Sequence, residues 1–174
     1  MRDKWHIKNK KGYLKIHIAV NIKTKKILSM MKVTDEYVHD SKALPELVDE
    51  VIKSDNMTAP AICKLFADDG AYEGNNIFRF LEDNGILPCI KVRKNASVRW
   101  KKGHILRNLA VIAQRNDLQK WKDSVSYGKR WIVETVFSCL KRRFDREYVY
   151  SVKLQNMIQE MMLKASLYNK LISV

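Results

Sequence analysis

The sequence predicts an α/β fold, a mixed sheet flanked by helices on both faces. Periodicities in the N-terminal half run hairpin, helix, strand, helix, strand, while the C-terminal half carries helical spacing alone. A hairpin closes an antiparallel pair and a strand–helix–strand unit closes a parallel one, so the two together call for a mixed sheet. The chain has 174 residues, 46 % of them hydrophobic, with no repeat, linker or low-complexity tract. That is enough apolar material for one core, and a single domain over residues 1–174 is expected.

Each element has its own signal. Tyr13-Leu-Lys-Ile-His-Ile-Ala-Val20 alternates and is rich in β-branched residues, Asn21 to Lys26 is polar, and Ile27 to Val33 repeats the strand pattern. Leu44, Leu47, Val48, Val51 and Ile52 recur at helical spacing, with Asp40 or Ser41 as the expected cap and Pro45 in the first turn. Pro60 opens a short apolar run, Ala61 to Ala67, which stops at Asp68-Asp69-Gly70 and so sets two carboxylates at a strand end. Ile77, Phe78, Phe80 and Leu81 form a helical face that closes near Asn84-Gly85, and Ile86 to Val92 reads as a second buried strand.

From Lys91 to Arg107 there are seven Lys and Arg and no acid, with Trp100 and His104 interleaved, which reads as an exposed, mobile basic segment. Helical spacing returns at Leu109 to Trp121. A second helix is expected at Lys129 to Arg143, striped by Trp131, Val136, Phe137, Leu140 and Phe144, and a last one at Gln155 to Leu171.

Charge narrows the partners. Lys and Arg number 33 against 19 Asp and Glu, a net +14, and such an excess on one domain is the footprint of polyanion binding, nucleic acid first. An anionic membrane surface comes second, but no apolar run approaches the roughly 20 residues that cross a bilayer, so no membrane span is expected and DNA rather than a membrane is the expected partner. The charged N-terminus does not resemble a secretion signal, and Cys63, Cys89 and Cys139 are odd in number and form no CxxC pair. Buried, reduced thiols and a cytoplasmic location in association with DNA follow.

Two acidic positions could carry chemistry. Asp69 ends a strand, where open α/β sheets collect ligands, and Gly70 lets the chain turn while the carboxylate faces a hard cation; a plain turn or helix cap explains the same residues. Glu134 lies about 40° around a helix from Arg130, with Lys141 about 20° short of two full turns beyond it, so all three share one face. That face is either a solvated ion-pair ladder or a metal-binding carboxylate with cations placed for phosphates.

Tyr127, two residues, Arg130, three, Glu134, six and Lys141 resembles the Tyr-Arg-Glu-Lys signature of insertion-sequence DDE transposases. Tyr13 to Val20, Thr34-Asp-Glu-Tyr-Val-His-Asp-Ser41 and Asp69-Gly-Ala-Tyr72 look like the same group and follow its order, so the likeness spans nearly the whole chain. The resemblance implies a ribonuclease-H-like fold in which three carboxylates hold two Mg²⁺ (or Mn²⁺) ions for DNA strand cleavage and strand transfer. Asp69 and Glu134 would be the second and third catalytic, metal-binding carboxylates, and Tyr127, Arg130 and Lys141 would contact DNA at the transposon end. The implied partners are transposon-end and target DNA and a second copy of the chain, as a homodimer on DNA.

One departure is expected. In the family the first catalytic Asp lies on a strand before the one resembling Tyr13 to Val20, so the chain reads as truncated at its N-terminus and lacking the first strand, with Asp3 a poor substitute. The rival reading is therefore a non-catalytic DNA-binding module that occupies transposon ends. Among the remaining residues, His17 is expected partly buried, His6 and His104 in contact with solvent or phosphate, and Trp100 either stacked on an unpaired base or packed beneath its loop.

Overall fold

The computed structural model describes residues 14–35, 39–54, 64–67, 70–144, 149–151 and 153–173. Tyr13, the start of the strand expected from Ala61, and Asp3 and His6 lie outside them. The order of the described elements is β1 (Leu14–Val20), β2 (Ile27–Asp35), α1 (Leu44–Ser54), β3 (Lys64–Ala67), α2 (Asn75–Asp83), β4 (Leu87–Ile90), α3 (Ile105–Asn116), α4 (Leu118–Val125), α5 (Trp131–Phe144) and α6 (Leu154–Leu171).

The hairpin forms as its alternation requires. β1 and β2 pair antiparallel, and the Asn21 side chain builds the turn by accepting the Lys23 and Thr24 amides at 2.8 and 3.0 Å. The parallel pair also forms, β3 with β4, joined by α2. The single mixed sheet does not: among the described residues no ladder joins the two pairs, which stand as separate two-stranded sheets. Side chains make the connection instead. α1 packs against both strands of the hairpin, while its Leu44 and Val48 share a core with Ile77, Phe78, Leu81, Ile86 and Ile90 around β3 and β4.

A second core lies on the C-terminal side. Ile27, Val136, Leu140, Ala165 and Tyr168 pack together, so α5 and α6 cover the hairpin. Asn169 completes this junction by accepting the Ile27 amide and donating to the Ile27 carbonyl, both at 2.8 Å, as a neighbouring strand would.

Three expectations change. Asp40 does not cap α1; its carboxylate takes the Lys15 ammonium at 3.1 Å. The helix expected over Leu109 to Trp121 is two helices, because Asp117 is extended and its carboxylate accepts the Lys120 amide at 2.9 Å, capping α4. Val136 and Leu140 of α5 are buried as expected, but Trp131 is 55 % exposed, since Ile132, four residues before Val136, takes the first place of the buried stripe.

The basic segment after β4 is anchored rather than loose. Val92 and Ala96 are buried with Val111 of α3. Gln114 accepts the Val92 amide at 3.0 Å and donates to the Ile90 carbonyl at 2.9 Å, and Arg107 and Arg115 donate to the Ser97 and Ala96 carbonyls at 3.1 and 2.6 Å. Arg107 and Arg115, both on α3, thus hold backbone carbonyls of the segment, while Arg93, Lys94, Arg99, Lys101 and Lys102 are exposed as expected.

Glu160 on α6 accepts the Tyr150 and Ser151 amides at 3.0 and 3.1 Å and pairs with Lys164 at 3.1 Å. Burial would raise its pKa, but these bonds from Lys164, Ser151 and Tyr150 outweigh burial and hold it below the ordinary 4.5. A depressed folded-state value means the stabilisation is complete above the unfolded value and is lost as pH falls through the folded one. Glu160→Gln is thus expected to lower the melting temperature near neutral pH and to shrink that difference below about pH 4. Thermal unfolding across pH measures it, and a difference independent of pH would show that the carboxylate's charge plays no part.

Among the described residues no helix is long and apolar enough to cross a membrane.

Candidate functional site

Parallel pairing brings the C-terminal ends of β3 and β4 to one edge. The carbonyl of Ala67, the last residue of β3, is the junction there. It accepts the Lys91 amide from the chain leaving β4 at 3.2 Å and the Tyr127 hydroxyl from the approach to α5 at 3.1 Å. Asp68 and Asp69 come next in sequence and lie outside the described residues, so the expected Asp69 carboxylate has no geometry here. The chain resumes in a 3₁₀ turn, Gly70–Tyr72.

Tyr127 reaches Ala67 because of the turn before it. Ser126 closes α4 in the left-handed conformation (φ 59°, ψ 42°), and the chain then enters a 3₁₀ turn, Tyr127–Arg130, that leads into α5. Tyr127 is only 5 % exposed, with its ring tilted against Trp121 at 5.1 Å between centroids. The residue expected to touch DNA is placed here as a tie between the start of α5 and the end of β3. Tyr127→Phe is expected to cost about 0.5–1.5 kcal/mol, the net value of one hydrogen bond, because Lys91 still satisfies the Ala67 carbonyl. Urea unfolding measures the loss; a cost above about 3 kcal/mol would mean that the hydroxyl supports more than this bond.

Arg130 and Glu134 meet as the helical spacing implies, Arg130 Nη2 to Glu134 Oε1 at 2.7 Å. The ladder reading and the ligand reading both survive this contact. The Glu134 side chain is 62 % exposed, so its second oxygen is open to a ligand, while Arg130 is 28 % exposed. Lys141 is exposed on the same helix, about 10 Å further along its axis. Among the described residues no three His, Cys, Asp or Glu gather as a metal-holding group, and Glu134 is the one expected carboxylate those residues include. Carboxylate oxygen is the donor type that hard divalent cations prefer, and an exposed Glu can exchange a flexible arginine for such an ion.

The other singled-out residues take plainer places. His17 is buried. His104, expected near solvent or phosphate, has a side chain only 10 % exposed and meets Glu82 at 2.8 Å, because it stands at the start of α3 facing α2. Trp100 is 64 % exposed, which removes the packed alternative for it. Cys89 is fully buried and burial pushes its thiol up to about 11, leaving it inert. Sequence reasoning counted Lys91 and Arg93 within the basic segment without singling them out, and they follow β4 at the same edge as Ala67; the available signal was a basic alternation directly after a buried strand.

Residues 2–170 match a family model described as the transposase DDE domain. No curated protein and no solved structure matches the chain.

Proposed function

Because the chain belongs to the transposase DDE domain family, we propose that it is a DNA transposase, acting by metal-dependent cleavage and strand transfer at the ends of an insertion sequence. The observation that carries this reading is the Ala67 junction. It joins the end of β3, the exit of β4 and the approach to the helix bearing Glu134 at one sheet edge, the place where α/β folds assemble reactive groups, and Asp69 follows Ala67 by two residues in sequence. The net charge of +14 suits a substrate made of phosphates.

In this reading the whole chain is one ribonuclease-H-like catalytic domain with DNA ends and target as its partners, and a homodimer would hold two ends together. Asp69 and Glu134 would hold Mg²⁺ or Mn²⁺, which neutralises phosphate charge and activates the attacking oxygen when bound. Glu134 would offer a carboxylate oxygen to the ion, and Arg130, paired with that carboxylate, would contact DNA. Lys141 adds a second cation along the same helix. Tyr127 contributes position, holding the entrance of α5 against the end of β3.

The test incubates the full chain with duplexes carrying the terminal repeats that flank its reading frame, with Mg²⁺, with Mn²⁺ and with EDTA. Nicked or joined products that depend on the cation are expected. DNA binding with no product under any cation would overturn the catalytic reading.

A further inference from the structure

The edge built on Ala67 carries a cation with an unusual accommodation. Arg93 follows β4 by three residues, and its side chain folds back across Gly70, the residue directly after Asp68-Asp69. A β-carbon placed on Gly70 would stand 2.6 Å from Arg93 Cγ and 2.9 Å from Cδ, and closer still to Nε. Contacts that short require the arginine to shift, so its side chain lies where it does only because Gly70 has no β-carbon. A left-handed backbone is not the reason, since Gly85 is the glycine with positive φ among the described residues.

Arg93 is fixed at its root and open at its tip. Its amide donates to Glu73 Oε2 at 2.8 Å, and the carbonyl of Glu73 accepts Arg107 Nε at 2.7 Å, which braces the turn. The guanidinium is only loosely engaged. Its Nε stands 3.7 Å from Glu73 Oε1, beyond hydrogen-bonding distance, and the side chain is 58 % exposed. A structural arginine normally spends its fork on carbonyls, as Arg107 and Arg115 do nearby. Arg93 is instead more than half exposed, beside Gly70.

We infer that Arg93 is a DNA-phosphate-binding residue of this site, gripping the backbone from the β4 side of the edge while Arg130 and Lys141 act from α5. The inference rests on the transposase reading and adds to it a contact outside the Tyr-Arg-Glu-Lys helix. A planar fork that is more than half exposed can take two oxygens of one phosphate.

Binding of the full chain to terminal-repeat duplex, followed by fluorescence anisotropy over a salt series, tests this. Arg93→Gln is expected to weaken binding about tenfold and to lower the salt slope by about 1, the signature of one lost phosphate contact. Gly70→Ala keeps the charge but displaces the side chain, so it is expected to weaken binding comparably, and the double variant is expected to be no worse than either single one. Melting temperatures confirm that both variants fold; if Gly70→Ala does not, Arg93→Gln decides alone. Wild-type affinity and slope in Arg93→Gln, with losses in Arg130→Gln and Lys141→Gln, would overturn the inference and leave the transposase reading standing. A wild-type chain that shows no salt-dependent DNA binding would overturn both.

Discussion

Glu134→Gln is expected to reduce cation-dependent DNA cleavage by about 10²-fold or more while DNA affinity changes little. The amide is nearly isosteric, so α5 and its buried stripe of Ile132, Val136 and Leu140 are undisturbed. What disappears is the negative charge and with it the oxygen that a hard cation would take. Misplacing a reacting group by about 1 Å already costs ~10²-fold, and losing a ligand outright should cost at least that. The exposed ion pair with Arg130 contributes at most about 1 kcal/mol, so the fold should not register its loss. If Glu134→Gln cleaves at the wild-type rate, Glu134 is only one rung of a solvated ladder. If it also abolishes DNA binding, the carboxylate is needed to hold Arg130 in place.

The largest effect on stability is expected from Phe78→Ala, at about 3–5 kcal/mol. Phe78 is fully buried, and the core around it draws on three elements at once, Leu44 and Val48 of α1, Ile77 and Leu81 of α2, and Ile90 of β4. A cavity there cannot be closed by moving one neighbour, because each wall belongs to a different helix or strand. For a chain of this size the melting temperature should fall by about 10 °C or more, as read by circular dichroism. The site should suffer too, since Ile90 precedes Lys91, which hydrogen-bonds Ala67. A fall of less than about 2 °C would show that Phe78 is not a pillar of this core.

How far the sequence could be read depended on the range of the forces involved. Short-range pairing was legible: the hairpin from its alternation and from Asn21 at the turn, α2 from the spacing of Ile77, Phe78 and Leu81, and the Arg130–Glu134 contact from a separation of four on a helix. The division of α3 from α4 at Asp117 was also written locally, in an acidic cap, but a continuous apolar period masked it. The basic segment exposes most of its cations as expected, but its anchoring was not legible. Charge density suggests solvent, yet Arg107 and Arg115 find carbonyls across the loop that no local pattern announces. Trp131 shows the limit of stripe reading, since Val136 and Leu140 are buried as expected while the position at the start of the stripe belongs to Ile132.

By itself the sequence determined the alternation of strand and helix, the surplus of positive charge and the spacing from Tyr127 to Lys141 that marks the transposase resemblance. All of these depend on residues near one another in the chain or on simple sums. Only the tertiary structure decided that the strands stand as two pairs bridged by α1, that Tyr127 is buried against Ala67, and that Arg93 lies across Gly70. Those contacts join residues 23 to 60 positions apart, and they form because cores close by excluding water from whole faces at once. Which polar groups are then left at the edge, and which are buried under it, is a property of the packed molecule.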